Sequence, residues 1–224
     1  MNIDGYTRLA AVVAKPIKHS ISPFIHNLAF ENTGINGVYL AWEIAEEDLA
    51  VTMENVKRYD MFGLNISMPY KQAVIPYLDQ LTKSAQLIGA VNTIIPREGQ
   101  LIGHNTDGIG FFKSLDKRAG FQVQGKVMTV LGGGGAATAI IAQAAVDGAA
   151  KIFVFSRSQS IDRHTATAQK ISKETQVPIE VLPLEDSSLL QEKIFQSRLL
   201  VNGTSVGMDG KSLVVDEETI LPQN

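Results

Sequence analysis

The sequence contains no cysteine and only one tryptophan, and it carries no surplus of basic residues. Without cysteine the chain can form no disulfide bond, no thiolate nucleophile and no cysteine-ligated metal centre, and this composition fits a reducing compartment. Lysine and arginine together number 20 against 23 acidic residues, which gives a formal net charge of −3. Because phosphate contacts need clustered basic side chains, this balance argues against a nucleic-acid partner.

Long apolar runs are also missing. The most apolar long stretch, residues 136–146, is interrupted by Gln143 and is much shorter than the ~20 residues that a membrane-spanning helix needs. The first residues lack the basic segment and following apolar segment of a signal peptide. We therefore expect a soluble cytoplasmic protein with no membrane partner. The composition leaves the oligomeric state open, a homodimer included.

The remaining composition is that of a folded protein, because 45% of the 224 residues are hydrophobic and 19% are charged. Short β-branched runs alternate with helical patterns, which predicts an α/β architecture with parallel sheets. The predicted strands cover residues 9–14, 38–44, 62–67, 91–95, 101–104, 126–131, 151–156, 179–184 and 199–201. The predicted helices cover residues 46–59, 107–115, 136–146 and 161–173, and two more begin at Ser22-Pro23 and at Pro69.

Two local features refine this prediction. Ser22 is expected to cap its helix, with Pro23 in the first helical position. A domain boundary is expected near residues 104–108, where a predicted hairpin ends and a helix leads to a new strand. This boundary divides the chain into residues 1–104 and 105–224.

A glycine-rich turn follows the strand at 126–131 and precedes the helix at 136–146. Its pattern is Gly132-x-Gly134-x-x-Ala137. In a dinucleotide-binding turn the first glycine allows the tight bend, the second lets backbone approach a pyrophosphate, and the third small residue lets helix and strand pack closely. The pattern therefore predicts dinucleotide binding. The alternative is a glycine turn that serves packing alone.

The next strand ends in Phe155-Ser156-Arg157-Ser158, with no acid before Asp162. An acid at this position would accept a hydrogen bond from a free ribose 2′-hydroxyl. A guanidinium there can instead pair with a 2′-phosphate and stack on adenine. Arg157 therefore favours NADP over NAD, the alternative being an arginine that merely begins a surface loop.

The first half of the chain carries polar groups at predicted strand ends. Ser20 and Ser22 could present two hydroxyls to one carboxylate, unless Ser22 serves only as a helix cap. Asn65 and Ser67 alternate at a strand end and so share a face. Lys71 would fall in the first turn of the helix predicted from Pro69, where a cation opposes the dipole. A local rule broken in this way often marks function, although an exposed lysine is the simpler interpretation.

Two further polar groups complete the pattern. Asn92 lies in Gly89-Ala90-Val91-Asn92-Thr93, and Asp107 either caps its helix or directs a carboxylate into a cleft between the two halves. The histidines show no metal-ligand spacing with acids, so we expect no metal and interpret all four as structural or surface residues. They are His19, His26, His104 and His164.

Taken in order, six motifs resemble those of the shikimate dehydrogenase family, and they span nearly the whole chain. They are Ser20-Ile21-Ser22-Pro23, Asn65-Ile66-Ser67-Met68-Pro69-Tyr70-Lys71, Gly89-Ala90-Val91-Asn92-Thr93, Asn105-Thr106-Asp107-Gly108, Gly132-x-Gly134-Gly135-Ala136 and Asn202-Gly203-Thr204-Ser205-x-Gly207-Met208.

The resemblance implies an N-terminal α/β substrate domain, a Rossmann-type dinucleotide-binding domain and a cleft between them. It also implies NADP-dependent, reversible reduction of 3-dehydroshikimate to shikimate, in the route to aromatic amino acids. By the same resemblance, Ser20 and Ser22 hold the substrate carboxylate, while Lys71 and Asp107 form the catalytic pair. The residues implied to hold the ring hydroxyls are Ser67, Asn92 and Asp107.

The resemblance further implies a set of residues that bind NADP or NADPH, of which the last three lie near the nicotinamide. They are Gly132, Gly133, Gly134, Gly135, Ala136, Ser156, Arg157, Ser158, Asn202, Thr204 and Met208.

The sequence departs from the family pattern at several positions. Ser67 stands where the family usually has threonine, and Ser156 stands where NADP-using members usually have asparagine. A second basic residue is usual where this chain has Ile161, with Arg163 displaced from that position. Family members also continue beyond the equivalent of Asn224. We therefore expect a C-terminally truncated chain with an incomplete dinucleotide domain and weakened or absent activity.

Two other functions stay open at this level. One is an NAD-dependent quinate/shikimate dehydrogenase. The other is a non-catalytic dinucleotide-binding regulatory relative, against which the presence of both Lys71 and Asp107 argues.

Overall fold

The chain divides into two compact units, Met1–Thr106 and Asp107–Asn224. The computed structural model describes residues 3–215 and residue 219. The division lies between residues 106 and 107. Helices and strands alternate in both units, so the α/β prediction is confirmed.

The first unit is built on a six-stranded sheet of order β2-β1-β3-β5-β6-β4. Its strands are β1 (Arg8–Ala14), β2 (Gly37–Glu43), β3 (Gly63–Ile66), β4 (Gln80–Leu81), β5 (Thr93–Arg97) and β6 (Gln100–His104). Strand β1 pairs in parallel with β2 and β3, whereas β5 runs antiparallel to both β3 and β6. The expected parallel sheet is therefore mixed. The predicted hairpin causes this, since Glu98 and Gly99 both have positive φ and reverse the chain within two residues.

Three α-helices accompany this sheet: α1 (Ser22–Thr33), α2 (Leu49–Arg58) and α3 (Lys83–Ile88). Short 3₁₀ turns cover Glu46–Asp48 and Ile75–Tyr77. Helix α2 buries Leu49, Met53 and Val56 in the main apolar core of the unit. Their spacing of three and four residues places them on one helix face, which is the reason that α2 packs on the sheet.

Ser22 does not cap α1, contrary to prediction. Ile21 is the N-cap residue and makes no side-chain cap hydrogen bond, and Ser22 is already helical. Ile21 has φ −88° and ψ −1°, close to helical values, so the helix begins one residue earlier than its proline suggests. The hydroxyl of Ser20 accepts a hydrogen bond from the Ser22 N–H at 3.2 Å.

The helix predicted from Pro69 is also wrong. Residues 68–74 form a series of turns, with hydrogen bonds from the Tyr70 N–H to the Ser67 carbonyl and from the Val74 N–H to the Tyr70 carbonyl. Pro76 has no N–H with which to continue an α-helical ladder, and the chain goes on as the 3₁₀ turn Ile75–Tyr77 instead. Lys71 therefore lies in a half-buried turn, and the helix-dipole argument for it does not apply.

The second unit contains a four-stranded, fully parallel sheet of order β10-β7-β8-β9. Its strands are β7 (Val127–Leu131), β8 (Lys151–Ser156), β9 (Ile179–Pro183) and β10 (Leu199–Asn202), and its helices are α4 (Asp107–Ala119), α5 (Gly135–Val146), α6 (Ile161–Thr175) and α7 (Ser187–Gln196). The parallel sheet predicted for this half is confirmed. Because parallel strands end at one edge, the loops that follow all four strands meet there.

Helices α3 and α7 are absent from the sequence prediction. Helix α3 has six residues, which is too few to show a helical period. Helix α7 does carry a start signal, because the Asp186 carboxylate accepts a hydrogen bond from the Leu189 N–H at 2.9 Å, as an N-cap residue does. Among the described helices, none combines the length and the apolar character that crossing a bilayer requires.

Candidate functional site

The glycine turn between β7 and α5 is closed in by its neighbours. Gly132 has a φ of 93°, and a Cβ added there would lie 2.8 Å from Cγ2 of Thr204. A Cβ on Gly133 would lie 2.4 Å from Cγ of His164. Both positions therefore exclude a side chain, and the bare backbone forms this wall of the site.

The two glycines that follow face open space. A Cβ on Gly134 or Gly135 would meet no atom within 4 Å, and Gly134 is the N-cap of α5 with no side-chain cap hydrogen bond. The first N–H groups of a helix have no partner within that helix and attract anions. This turn and the start of α5 therefore suit a pyrophosphate approaching along the backbone.

A cavity of about 350 Å³ lies over this turn. Its volume falls within the range of small-molecule pockets. The glycine turn, the end of β8, the start of α6 and the loop after β10 supply most of its lining. The lining residues are Gly132, Gly133, Gly134, Phe155, Ser156, Arg157, Ser160, Arg163, His164, Leu184, Gly203, Thr204, Ser205, Val206, Leu213 and Val214.

Ser156 and His164 form a hydrogen-bonded pair in the wall of this cavity. The Ser156 hydroxyl is buried and lies 2.7 Å from Nδ1 of His164. Nη2 of Arg163 lies 3.2 Å from Nε2 of the same ring. Because a guanidinium can only donate, Nε2 accepts and the ring proton sits on Nδ1, which donates to Ser156. The Ser156 hydroxyl in turn donates to the Arg157 carbonyl at 3.3 Å.

Burial and, secondarily, the Arg163 charge lower the pKa of His164. The ring is therefore neutral at neutral pH, in agreement with the proton arrangement above. His164 is structural, as the sequence predicted, yet its position against Gly133 at the cavity was missed. The available signal was its place in the first turn of the helix that follows β8.

Two arginines face the region predicted to hold the 2′-phosphate. Arg157 is exposed and Arg163 is displaced from the usual family position, and both line the cavity. Ser158 does not line it. Its N–H donates to Oε1 of Glu185 at 3.1 Å, and its hydroxyl donates to Oε2 at 2.9 Å. The hydrogen bond from the Ser158 N–H makes the largest contribution among several contacts that hold the pKa of Glu185 below its ordinary value.

The Asn202 motif forms a turn beside the glycines. Oδ1 of Asn202 accepts from the Thr204 N–H at 3.0 Å and from its hydroxyl at 2.7 Å, and Nδ2 donates to the Val206 carbonyl at 3.0 Å. Asn202 thus shapes the loop, while Thr204 faces Gly132. Met208 is 86% exposed. Neither Asn202 nor Met208 is among the described residues that line the cavity.

In the first unit, the loops after β1 and β3 are joined by backbone hydrogen bonds. The Ser67 N–H donates to the Val13 carbonyl at 2.9 Å, and the Lys15 N–H donates to the Met68 carbonyl at 3.1 Å. The loop that leads to Ser20 and Ser22 therefore lies beside the turn that carries Ser67 and Lys71.

Asn92 joins this group from the start of the hairpin. Its carbonyl accepts from the Ile66 N–H at 2.8 Å, and the Val91 N–H donates to the Lys71 carbonyl at 2.8 Å. Its side-chain oxygen accepts from the Thr106 N–H at 3.0 Å and from the Thr93 hydroxyl at 2.9 Å. The buried Asn92 side chain thus holds the segment that follows β6, while the adjacent Val91 backbone bonds to the turn that carries Lys71.

Asn65 has a structural role that the sequence did not indicate. Its Oδ1 accepts from the Tyr39 hydroxyl at 2.6 Å, and its Nδ2 donates to the Thr93 hydroxyl at 3.1 Å. Burial raises the pKa of Tyr39 above its ordinary value, which keeps the phenol protonated as a donor. His26 stacks on Tyr39 with ring centroids 4.1 Å apart.

Asp107 is the first residue of α4 and belongs to the second unit. The described part of the chain contains no group of three or more histidine, aspartate or glutamate side chains arranged to hold a metal ion.

Comparisons with known proteins identify the relatives of this chain. The family model for the shikimate dehydrogenase substrate binding domain matches residues 12–94. The chain is 70% identical over 224 residues to the shikimate dehydrogenase (NADP(+)) of Streptococcus suis, and covers 78% of that protein. It is 63% identical to the enzyme of the same name from Streptococcus mutans, over 100% of this chain and 78% of that protein.

Solved structures give the same assignment. The crystal structure of shikimate 5-dehydrogenase from Listeria monocytogenes, described as a complex with shikimate and NAD, superposes with a TM-score of 0.92 at 39% identity, covering 98% of this chain and 77% of that one. The Streptococcus suis enzyme is 70% identical to this chain, which covers 78% of its length, and a relative of this kind establishes the family. The chain therefore belongs to the shikimate dehydrogenase family.

Proposed function

We propose that this chain is an NADP-dependent shikimate dehydrogenase that reversibly reduces 3-dehydroshikimate to shikimate, in the biosynthesis of aromatic amino acids. The observation that carries the proposal is the 70% identity over all 224 residues to an enzyme of that name. We place substrate binding in the first unit and NADP binding in the second. The match of residues 12–94 to the substrate binding domain supports this division.

The second unit fits a bound NADP. Open space over Gly134 and Gly135 leaves room for the pyrophosphate at the start of α5, and Ala136 continues this first turn. Arg157 and Arg163 offer positive charge to a 2′-phosphate. When bound, NADPH would supply the hydride that reduces the substrate ketone. The loop that Asn202 holds is proposed to lie at the nicotinamide end, with Thr204 against Gly132.

In the first unit, four polar side chains lie on segments that follow strands β1 and β3 or precede β5, and backbone hydrogen bonds join these segments together. Ser20 and Ser22 are proposed to hold the substrate carboxylate through their hydroxyls. Ser67 and Asn92 are proposed to hold ring hydroxyls, with Asp107 as a third partner. Ser67 keeps the hydroxyl of the threonine usual in the family, so we expect it to serve the same purpose.

Lys71 is proposed as the proton donor. As the ketone is reduced, negative charge develops on its oxygen, and an ammonium within hydrogen-bond reach stabilises that charge and delivers a proton. Asp107 is proposed to orient this ammonium. Both roles rest on the family motifs at these two positions.

The test is NADPH oxidation by the purified chain in the presence of 3-dehydroshikimate, with product identified as shikimate. We expect turnover with 3-dehydroshikimate and none when it is replaced by a ketone without a carboxylate. The same assay with NADH tests the alternative cofactor. The reverse assay with quinate in place of shikimate tests the alternative of a quinate/shikimate dehydrogenase. Absence of both turnover and dinucleotide binding would contradict the proposal.

One observation favours NAD as a second cofactor. The carboxylate of Glu185 accepts two hydrogen bonds from Ser158, the residue that follows Arg157, which is expected to bind a 2′-phosphate. The Listeria structure is described with NAD bound.

A cytoplasmic location and the oligomeric state, a homodimer included, stay predictions.

A further inference from the structure

A carboxylate is held firmly at the end of β8, although it comes from a different loop. Strands β8 and β9 are parallel neighbours, and the Leu184 N–H donates to the Ser156 carbonyl at 2.9 Å. This contact brings Glu185 to Ser158. Each carboxylate oxygen then accepts one hydrogen bond, Oε1 from the Ser158 N–H and Oε2 from its hydroxyl.

The groups that hold Glu185 are those that an anion would use. Ser158 opens the 3₁₀ turn before α6, so its N–H points out of the start of a helical segment. The positive charge of Arg157 also acts on Glu185, and together with the Ser158 contacts it holds the pKa of this carboxyl below its ordinary value. An N–H, a hydroxyl and a guanidinium form a donor set suited to a phosphate monoester. Here the N–H and the hydroxyl already hold a carboxylate, and the guanidinium charge acts on the same carboxylate.

We propose that Glu185 is a specificity-determining residue whose carboxylate, held by Ser158, repels the 2′-phosphate of NADP at the neighbouring Arg157. It thereby restrains the preference for NADP over NAD. This inference rests on the proposed function and names the residue that sets cofactor choice within it.

The physical reason is the repulsion of like charges. A 2′-phosphate that approaches Arg157 must either displace the carboxylate from Ser158 or bind beside it, and both cost free energy. A free 2′-hydroxyl brings no such charge and can donate to a carboxylate.

The test compares binding of NADP⁺ and NAD⁺ by isothermal titration calorimetry in the wild-type chain and three variants. Glu185→Gln keeps an acceptor for the Ser158 N–H and removes the charge, whereas Glu185→Ala removes both. Asp186→Asn is the matched control, because it removes one negative charge at the adjacent residue while an asparagine can still cap α7. Adenosine 2′-monophosphate and 5′-monophosphate serve as fragment ligands that isolate the 2′-phosphate.

We expect Glu185→Gln to tighten NADP⁺ binding roughly tenfold and Glu185→Ala to tighten it at least as much, while NAD⁺ binding changes by less than about threefold. Adenosine 2′-monophosphate should follow NADP⁺, and the 5′ isomer should follow NAD⁺. Asp186→Asn should leave the ratio of the two dinucleotide affinities within about twofold of the wild type.

Unchanged or weaker NADP⁺ binding in both Glu185 variants would overturn the inference. If the wild-type chain reduces 3-dehydroshikimate while the affinity ratio is insensitive to Glu185, only this inference falls. If the wild-type chain binds neither dinucleotide, the proposed function falls with it. Because Glu185 is exposed, the variants should fold, and their circular dichroism spectra check this.

Discussion

The hydroxyl of Ser156 and the imidazole of His164 lie 2.7 Å apart, and the same ring packs against the backbone of Gly133. The pair links the end of β8 to the glycine turn through the first turn of α6. A dinucleotide site needs both loops in fixed positions. The structure thus gives a physical role to a histidine that carries no catalytic assignment.

Replacement of His164 should reveal this role. His164→Ala removes the ring N–H that donates to the buried Ser156 hydroxyl, and the loss of such a buried hydrogen bond costs about 1–3 kcal/mol of unfolding free energy. We expect urea denaturation to show a loss of that size, together with weaker NADP⁺ binding. Ser156→Ala in the same background should cost little more, since the interaction is already gone. Fully additive losses would show that the two side chains do not stabilise each other.

The two neighbouring glycines should respond differently to the same change. Gly133→Ala drives a Cβ to 2.4 Å from the His164 ring, so we expect a lower melting temperature. Gly134→Ala meets no atom within 4 Å and has a φ of −71° that alanine tolerates. It should keep wild-type stability and weaken dinucleotide binding by filling the approach to α5. Gly110→Ala, also in open space, is the control for both and should leave binding unchanged.

The ionisation of His164 predicts a dependence of stability on pH. Its pKa is lowered in the folded chain, so the unfolded chain takes up a proton first as the pH falls. The stability contribution is therefore complete above the unfolded pKa of about 6.5 and declines as the pH drops towards the folded value. His26 is shifted in the same direction by burial. We expect the urea concentration at the midpoint of unfolding to decrease as the pH is lowered from about 7 to about 5. This decrease should be smaller in His164→Gln.

The strand ends were the part of the site that the sequence could predict. Parallel strands deliver their following loops to one edge, so glycines after β7 and Arg157 after β8 had to be neighbours. The same rule places the loop after β9, and with it Glu185, at this edge, but it does not reveal that the Glu185 carboxylate accepts from Ser158, 27 positions away in sequence. The helix predicted from Pro69 failed for another reason, since its start signal was followed by turns and then by a 3₁₀ turn that contains Pro76.

Side-chain roles were harder to predict than side-chain positions. Asn65 and Ser67 do alternate at a strand end, as expected. The amide of Asn65 is nevertheless used by Tyr39 and Thr93, which only the packing of β2 and β5 around β3 reveals. A polar residue at a strand end therefore marks where a site is, and its hydrogen bonds decide whether it is available to a ligand.

The assignments of Lys71 and Asp107 make a prediction that separates chemistry from binding. Lys71→Ala should lower kcat by about 10²–10⁴-fold and leave the affinity for shikimate near that of the wild type, because a proton donor acts mainly in the transition state. Asp107→Ala should lower both, since it is proposed to contact a ring hydroxyl as well as the lysine. Lys83→Ala, at the exposed start of α3, controls for loss of a positive charge. If Lys71→Ala weakened shikimate binding without a further loss of kcat, the lysine would be a substrate anchor and the proton would have to come from another group.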